Sequence, residues 1–278
     1  MANNSYYEVL ERASSFLESK GRDSHAARYV LLTRLGWNTT DWLLHMREEA
    51  PVAVQRQFQQ DIEQLEQDYP AQYIVGKASF YGEDFLVTEA TLIPRPETEE
   101  LVELCLNENK RQNIRVLDIG TGSGAIAITL KKLRPDWQVS AVDISAEALE
   151  VAKKNAARHN VVIDFRLGNL LEPFANERFD VVLSNPPYIG EQEIAEMDQS
   201  VLKYEPRQAL FAKEEGLALY KEICEYLPNV LDKEGKLFLE IGYRQGLKVT
   251  QIVASQFPQK NVQIAKDLCG LDRIVWMK

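Results

Sequence analysis

A chain of 278 residues with 45% hydrophobic content is long enough for two domains and ample cores. Its formal net charge of −10 argues against tight, sequence-independent nucleic-acid binding, which rests on neutralising phosphates. No run approaches 18 uncharged apolar residues, the N-terminus lacks a basic-then-apolar leader, and Cys105, Cys224 and Cys269 form no Cys-x-x-Cys pair, so a cytoplasmic protein with reduced thiols and no metal site is expected.

Residues 5–68 are rich in Glu, Gln, Arg, Leu and Ala, with helical apolar spacing at Tyr7, Leu10, Phe16 and Leu17. Further helices are expected near 24–35, 40–44 and 52–67, separated by Gly36 and Pro51, with Thr40 or Asp41 capping the middle one. This bundle carries no visible catalytic group. Residues 74–93 alternate apolar and polar positions around Gly76 and Gly82, which predicts a β-hairpin. The expected domains are therefore 1–73, a hairpin linker at 74–95, and 96–278.

From Glu97 onward strand and helix alternate. Strands are expected at 114–119, 138–143, 162–167, 179–184, 235–241, 262–266 and 273–277, and helices near 97–109, 125–133, 146–159, 216–231 and 245–256. Such alternation implies a mostly parallel sheet covered on both faces. The acidic connection 189–215 is long enough to form a lid or wall. His25, His45 and His159 fall in helical segments and read as surface or capping residues.

Two motifs carry chemistry. In Val116-Leu-Asp118-Ile-Gly120-Thr121-Gly122-Ser123-Gly124 a strand runs into three alternate glycines and then a helix, whose N-terminal N–H groups face whatever the loop holds. The next strand ends on Asp143, 23 residues after Gly120, about where a nucleotide-binding βαβ unit places a carboxylate on ribose hydroxyls. The glycine spacing is neither the dinucleotide fingerprint nor a phosphate loop. A ribose-bearing ligand without phosphates, S-adenosylmethionine, fits it.

The second motif is Asn185-Pro186-Pro187-Tyr188. Two prolines cannot extend a strand, so the chain must turn away at the carboxyl edge of the sheet, where open α/β folds bind ligands. The tetrapeptide offers a side-chain amide, stiffened backbone carbonyls and an aromatic face. That cup suits an amino group on an sp² carbon: an adenine, a cytosine or a carboxamide.

Together these motifs resemble class I S-adenosylmethionine-dependent methyltransferases. Gln72-Tyr-Ile-Val-Gly76, Phe80-Tyr-Gly82, Leu92-Ile-Pro-Arg-Pro-Glu-Thr-Glu99, Glu205-Pro206, Leu239-Glu-Ile-Gly242, Asp267 and Asp272-Arg273 are similar to the HemK/PrmC family of release factor glutamine methyltransferases. The resemblance implies an α/β, Rossmann-like, seven-stranded mostly parallel sheet whose last strand is inserted antiparallel, with a small N-terminal helical domain that docks the substrate. It implies methyl transfer to the N5 amide of the glutamine in a Gly-Gly-Gln motif of peptide chain release factors, by a monomer that binds neither nucleic acid nor membrane. Asn185 and the Pro186 carbonyl would accept the two amide hydrogens, Pro187 and Tyr188 would pack on the amide, and Phe80, Arg95 and Glu97 would line or fix the substrate pocket. Gly120, Thr121, Gly122, Ser123, Gly124 and Asp143 would hold S-adenosylmethionine and its product S-adenosylhomocysteine, with Asn169, Leu170 and Asn185 beside them. A glutamine in another translation protein, or an exocyclic amine of a flipped base, stays open as the acceptor.

Overall fold

The computed structural model describes residues 4–278. Their chain contacts divide into two compact units. One is the N-terminal segment through Lys77 together with Asp198–Tyr204; the other is Ala78–Met197 with Glu205–Lys278.

The N-terminal unit holds α1 (Tyr6–Ser19), α2 (His25–Leu35), α3 (Thr39–His45), α4 (Val52–Glu66) and α5 (Ala71–Val75). Ser5 starts α1 through a reciprocal capping box with Glu8. The buried stripe of α1 is Tyr6, Val9, Leu10, Ala13 and Leu17, the positions a 3.6-residue period lines up. Tyr7 and Phe16, expected inside, fall off that stripe and are exposed. Helix α3 is capped by Asn38, two or three positions before the expected Thr40 or Asp41, and Asp41 answers as the third residue of the box. Buried Asp61 on α4 takes a bidentate pair from Arg34 on α2 at 2.6 and 2.8 Å, and the same guanidinium reaches the Ile74 carbonyl of α5. One charged fork thus ties three helices.

In the second unit, β1 (Lys77–Phe80) and β2 (Glu83–Leu86) form the hairpin, closed by Tyr81 and Gly82 at φ 52° and 76°. It is shorter than expected, because residues 71–75 make a helical turn ending at Gly76. Then follow α6 (Pro96–Glu108), β3 (Arg115–Ile119), α7 (Ala125–Leu133), β4 (Gln138–Asp143), α8 (Ala146–Arg158), β5 (Asp164–Leu167) and β6 (Phe179–Ser184). The connection after β6 is not a bare loop. It contains a 3-10 segment (Glu191–Glu196), α9 (Gln199–Tyr204, grouped with the N-terminal unit), α10 (Arg207–Leu210) and a single turn α11 (Lys213–Gly216). The chain ends with α12 (Ala218–Tyr226), β7 (Leu231–Glu240), α13 (Gly246–Gln256), β8 (Val262–Lys266) and β9 (Asp272–Met277).

The seven-stranded sheet has the order β5-β4-β3-β6-β7-β9-β8. Strands β3 to β7 pair in parallel, and β9 is inserted antiparallel between β7 and β8. Successive residues alternate between two cores. Val116, Ala141, Val181 and Phe238 face one layer, and Leu117, Val142, Val182 and Leu237 face the other. Strand order reverses between β3 and β6, the topological switch point at which such sheets open a crevice. Ile119 and Ser184 are register partners there, and the Ser184 hydroxyl donates to the Ile119 carbonyl at 2.8 Å. Gly120 and Asn185 therefore leave neighbouring strand ends side by side.

Candidate active site

A cavity of about 440 Å³ opens at this switch point. Gly120, Gly122, Asp143, Asn169, Leu170, Asn185 and Pro187 line it, so both motifs meet in one site. The segment after α9 supplies a wall through Pro206, Ala209 and Phe211.

The glycine loop is held from behind. Gly120 and Thr121 donate their N–H groups to the Val142 carbonyl at 2.9 and 3.1 Å. Gly120 and Gly122 have φ 71° and 56°, and open space lies where a side chain would stand. A ligand can therefore approach the main chain directly. Gly124 serves packing instead, since a Cβ there would come within 2.8 Å of Ile128 and 3.2 Å of Ala152, where α7 and α8 meet. Thr121 and Ser123 are buried and do not line the cavity. The Thr121 hydroxyl donates to Asp118 Oδ2 at 2.7 Å, while the Ser123 carbonyl accepts from Asn155 Nδ2 at 2.8 Å. Asn155, absent from the sequence reading, also exchanges bonds with Leu86 N–H (2.7 Å) and Leu86 C=O (3.0 Å). It pins the hairpin to the glycine loop.

Asp143 takes Gly122 N–H on Oδ2 at 2.8 Å and Ser145 N–H on Oδ1 at 2.9 Å. The Ile144 N–H also acts on the carboxylate, whose roughly four lone-pair sites still leave room for a ligand hydroxyl. Burial raises its pKa, against the pull of those N–H groups. Asp118 is wholly buried. Burial pushes its carboxyl up to about 7, and its Oδ1 has no hydrogen-bond partner. Asn169 donates from Nδ2 to Glu222 at 3.0 Å, which leaves its carbonyl oxygen for a ligand.

Asn185 donates from Nδ2 to Thr98 Oγ1 at 3.0 Å, and the Thr98 hydroxyl donates to Glu240 Oε2 at 2.7 Å. Thr98 and Glu240 are 5% and 1% exposed. Burial lifts the Glu240 carboxyl to about 7, with Arg273 and Arg95 opposing and Glu97 reinforcing the shift. Pro186 is buried and Tyr188 half-buried, and neither side chain lines the cavity. The Tyr188 carbonyl is fixed by Gln245 Nε2 at 2.8 Å, and its ring lies against Gly242. Burial drives the Tyr188 hydroxyl above its ordinary pKa, so it stays protonated.

The pocket residues carried over from the resemblance divide. Phe80 is fully buried in the sheet core, edge-on to Phe85 at 6.0 Å, because the alternation of β1 turns it inward; it has no surface on the cavity. Arg95 caps α6 and pairs with buried Glu205 at 2.6 Å, whose other oxygen takes Ile93 N–H at 3.2 Å. It braces the segment that walls the cavity. Glu97 lies close enough to Tyr188 and Glu240 to raise both of their pKa values.

The site fits S-adenosylmethionine on three counts: an open glycine main chain, a carboxylate with remaining acceptor capacity, and a mixed apolar and polar cavity at the switch point. Among the described residues no cluster of His, Cys, Asp and Glu could hold a metal ion, and no helix is long and apolar enough to cross a membrane.

Comparison with known proteins agrees. Residues 98–211 match the Methyltransferase small domain, and residues 8–76 match the PrmC N-terminal domain. A release factor glutamine methyltransferase of Enterococcus faecalis is 52% identical over 97% of both chains. Those of Streptococcus pneumoniae and Bacillus subtilis are 44% and 39% identical, over 92% and 97% of this chain and 92% and 96% of theirs. A crystal structure of a methyltransferase from Pyrococcus furiosus superposes with TM-score 0.53 at 20% identity, over 72% of this chain and 89% of that one, which speaks for the fold alone. This chain belongs to the release factor glutamine methyltransferase family, whose methyl donor is S-adenosylmethionine.

Proposed function

We propose that the chain transfers a methyl group from S-adenosylmethionine to the N5 amide nitrogen of the glutamine in the Gly-Gly-Gln motif of peptide chain release factors. One observation carries the reading. Asn185, at the cavity beside the glycine loop, has its amide nitrogen committed to Thr98, so its carbonyl oxygen is the group left for an acceptor N–H.

A carboxamide nitrogen is a poor nucleophile because its lone pair is delocalised into the carbonyl. The protein's task is therefore orientation, which can lower a barrier by about 7–11 kcal/mol when reacting atoms are held in line. Asn185 Oδ1 and the Pro186 carbonyl would accept the two amide hydrogens, and Tyr188 would pack beside the amide. As the nitrogen loses conjugation and gains positive character, those acceptors bind it better than they bind the ground state. S-adenosylmethionine, when bound, supplies a methyl group on a positively charged sulfur. Asp143 would take its ribose hydroxyls, Gly120 and Gly122 its amino-acid arm, and Asn169 and Leu170 its adenine. No side-chain base is required, since an N-protonated amide is acidic enough to lose its proton to water.

The helical N-terminal unit is part of the proposal as the docking surface for the release factor; its match to the PrmC N-terminal domain supports that role. So is a monomeric state without nucleic-acid binding, the latter supported by the net charge of −10. The test is incubation with isotopically labelled S-adenosylmethionine and intact release factor, followed by peptide mass spectrometry. One labelled methyl on the Gly-Gly-Gln glutamine is expected; label on a nucleic acid and on no release factor would refute the assignment.

A further inference from the structure

Two stretches that the family resemblance singled out, Leu92–Glu99 and Leu239–Gly242, enter the proposed transfer so far only through the contact of Thr98 with Asn185. The fold brings them together behind Asn185. Thr98 is the third residue of α6, Glu240 the last residue of β7, and 142 positions separate them in the chain. We propose that Glu240 and Thr98 are positioning residues that set which end of the Asn185 amide meets the substrate. The inference rests on the assignment of Asn185 to the transferring nitrogen.

Proton supply along the three groups fixes the orientation. A hydroxyl has one hydrogen to give, and Thr98 gives it to Glu240 at 2.7 Å. Above about pH 7, where Glu240 is ionised, its carboxylate accepts only, so that direction is imposed from the Glu240 end. Thr98 Oγ1 is left with lone pairs alone, and the neighbour at 3.0 Å must bring a donor. Asn185 therefore turns its NH2 toward Thr98 and its carbonyl oxygen the other way. Rotated by half a turn, the same side chain would present N–H groups to the substrate's N–H groups and repel it. The polarity of three linked groups thus selects an acceptor where the reaction needs one.

The anchor is rigid. The Glu240 backbone pairs with Ile274 of β9, and its carbonyl accepts from the buried Tyr220 hydroxyl at 2.8 Å. Thr98 is held in the first turn of α6, whose preceding Arg95 is paired to Glu205. Keeping a carboxylate 1% exposed is costly, and packing alone would favour an apolar residue there. A buried chain of polar groups, each bonded to the next, favours one arrangement of its members.

The experiment uses the full-length protein in single-turnover methylation of intact release factor, with S-adenosylhomocysteine affinity measured calorimetrically on each preparation. Thr98→Val keeps the shape and removes both hydrogen bonds. Its rate should fall about 10- to 100-fold, with cofactor affinity within about twofold. Thr98→Ser, which restores the hydroxyl, should recover most of the rate. In an Asn185→Ala background Thr98→Val should cost nothing more, because its effect passes through Asn185. Glu240→Gln provides the same test if Thr98→Val loses cofactor binding. Its amide can present oxygen or nitrogen to Thr98, so the direction is no longer imposed, and the rate should fall several-fold with the effect again absent beside Asn185→Ala. A wild-type rate for Thr98→Val or Glu240→Gln, a Thr98→Ser as slow as Thr98→Val, or equal losses in both backgrounds would each overturn the inference. Absence of methylation by the wild-type protein would instead refute the proposed function, and a wild-type rate for Asn185→Ala would refute the role of Asn185.

Discussion

Asp143 offers the sharpest test of the cofactor site, because its carboxylate does two jobs. Asp143→Ala would remove the proposed acceptors for both ribose hydroxyls, and it also releases Gly122 N–H and Ser145 N–H. Hydrogen bonds to a charged group contribute about 1.5–3 kcal/mol each. The site is open enough for water to replace part of that, so the two ribose bonds should cost about 3 kcal/mol together. That is a loss of about 150-fold in S-adenosylhomocysteine affinity by titration calorimetry. Loosening of the glycine loop would add to the loss without involving the ribose, and an analogue lacking both ribose hydroxyls separates the two effects. It should bind wild type about 100-fold more weakly than S-adenosylhomocysteine does, yet the two should bind Asp143→Ala about equally. If the variant still preferred the hydroxylated ligand by the wild-type factor, Asp143 would not touch the ribose.

Three further outcomes follow from particular contacts. Asn155→Leu keeps the volume but strands the buried Ser123 carbonyl and the two half-buried Leu86 groups; it should lower stability by about 3–5 kcal/mol in denaturant titration, and a change under about 1 kcal/mol would show that water replaces all three bonds. Gly216 has φ 83°, and a Cβ there would stand 1.9 Å from the Tyr188 carbonyl, so Gly216→Ala must push the Asn185–Tyr188 turn aside; methylation should drop at least about tenfold with cofactor affinity kept, and an unchanged rate would free that turn from any need of precise placement. The pH dependence of stability has a definite sign: Asp118 and Glu240 hold their protons to about 7 when folded but ionise near 4 when unfolded, so the folded state binds more protons in between and stability falls as pH rises from about 4 to about 7, by about 4 kcal/mol per group; thermal melting that improved across that window would refute the placement of these acids.

The parts of this fold that depend on local periodicity could be read from the chain. Strands β3, β4 and β6 fall within a residue of their expected positions, and the glycine loop, Asp143 and Asn185 do converge, because βαβ connectivity forces them to one edge. Local reading failed where a neighbour was remote or a face had to be chosen. Tyr7 and Phe16 were picked for hydrophobicity, yet the burial of α1 is decided by which stripe contains most apolar positions. Phe80 carries the aromatic ring a methyl pocket would want, but strand parity turns it inward. Asn155 and Gly216 lie outside every motif, and Thr98 and Glu240 lie inside quoted segments without a visible role, because each acts through a partner distant in sequence: Leu86, Tyr188, Asn185 and Thr98. An unusual polar residue in an apolar stretch, such as Asn155 on α8 or Glu240 at the end of β7, is the signal that could have marked two of them.

What those residues share is an energetic position. Of the non-glycine residues with positive φ, Asp68, Asn113 and Asn160 are types that tolerate it. The rest are Tyr81, Leu170, Glu214 and Glu215, and three of these four lie in the segments that frame the cavity. Each costs about 1 kcal/mol or more. Two buried acids lie behind the glycine loop and Asn185, Asp118 with one oxygen unpartnered and Glu240 wholly enclosed. The two apolar layers carry smaller costs among the described residues, the unpartnered buried hydroxyls of Thr129 on α7 and Thr250 on α13. A sheet that needed only to fold would not keep a lone carboxylate oxygen beneath its glycine loop or a leucine in a left-handed turn. The cores offset these costs, and the costs are concentrated where a ribose, an adenine and an amide nitrogen would have to be held in one orientation.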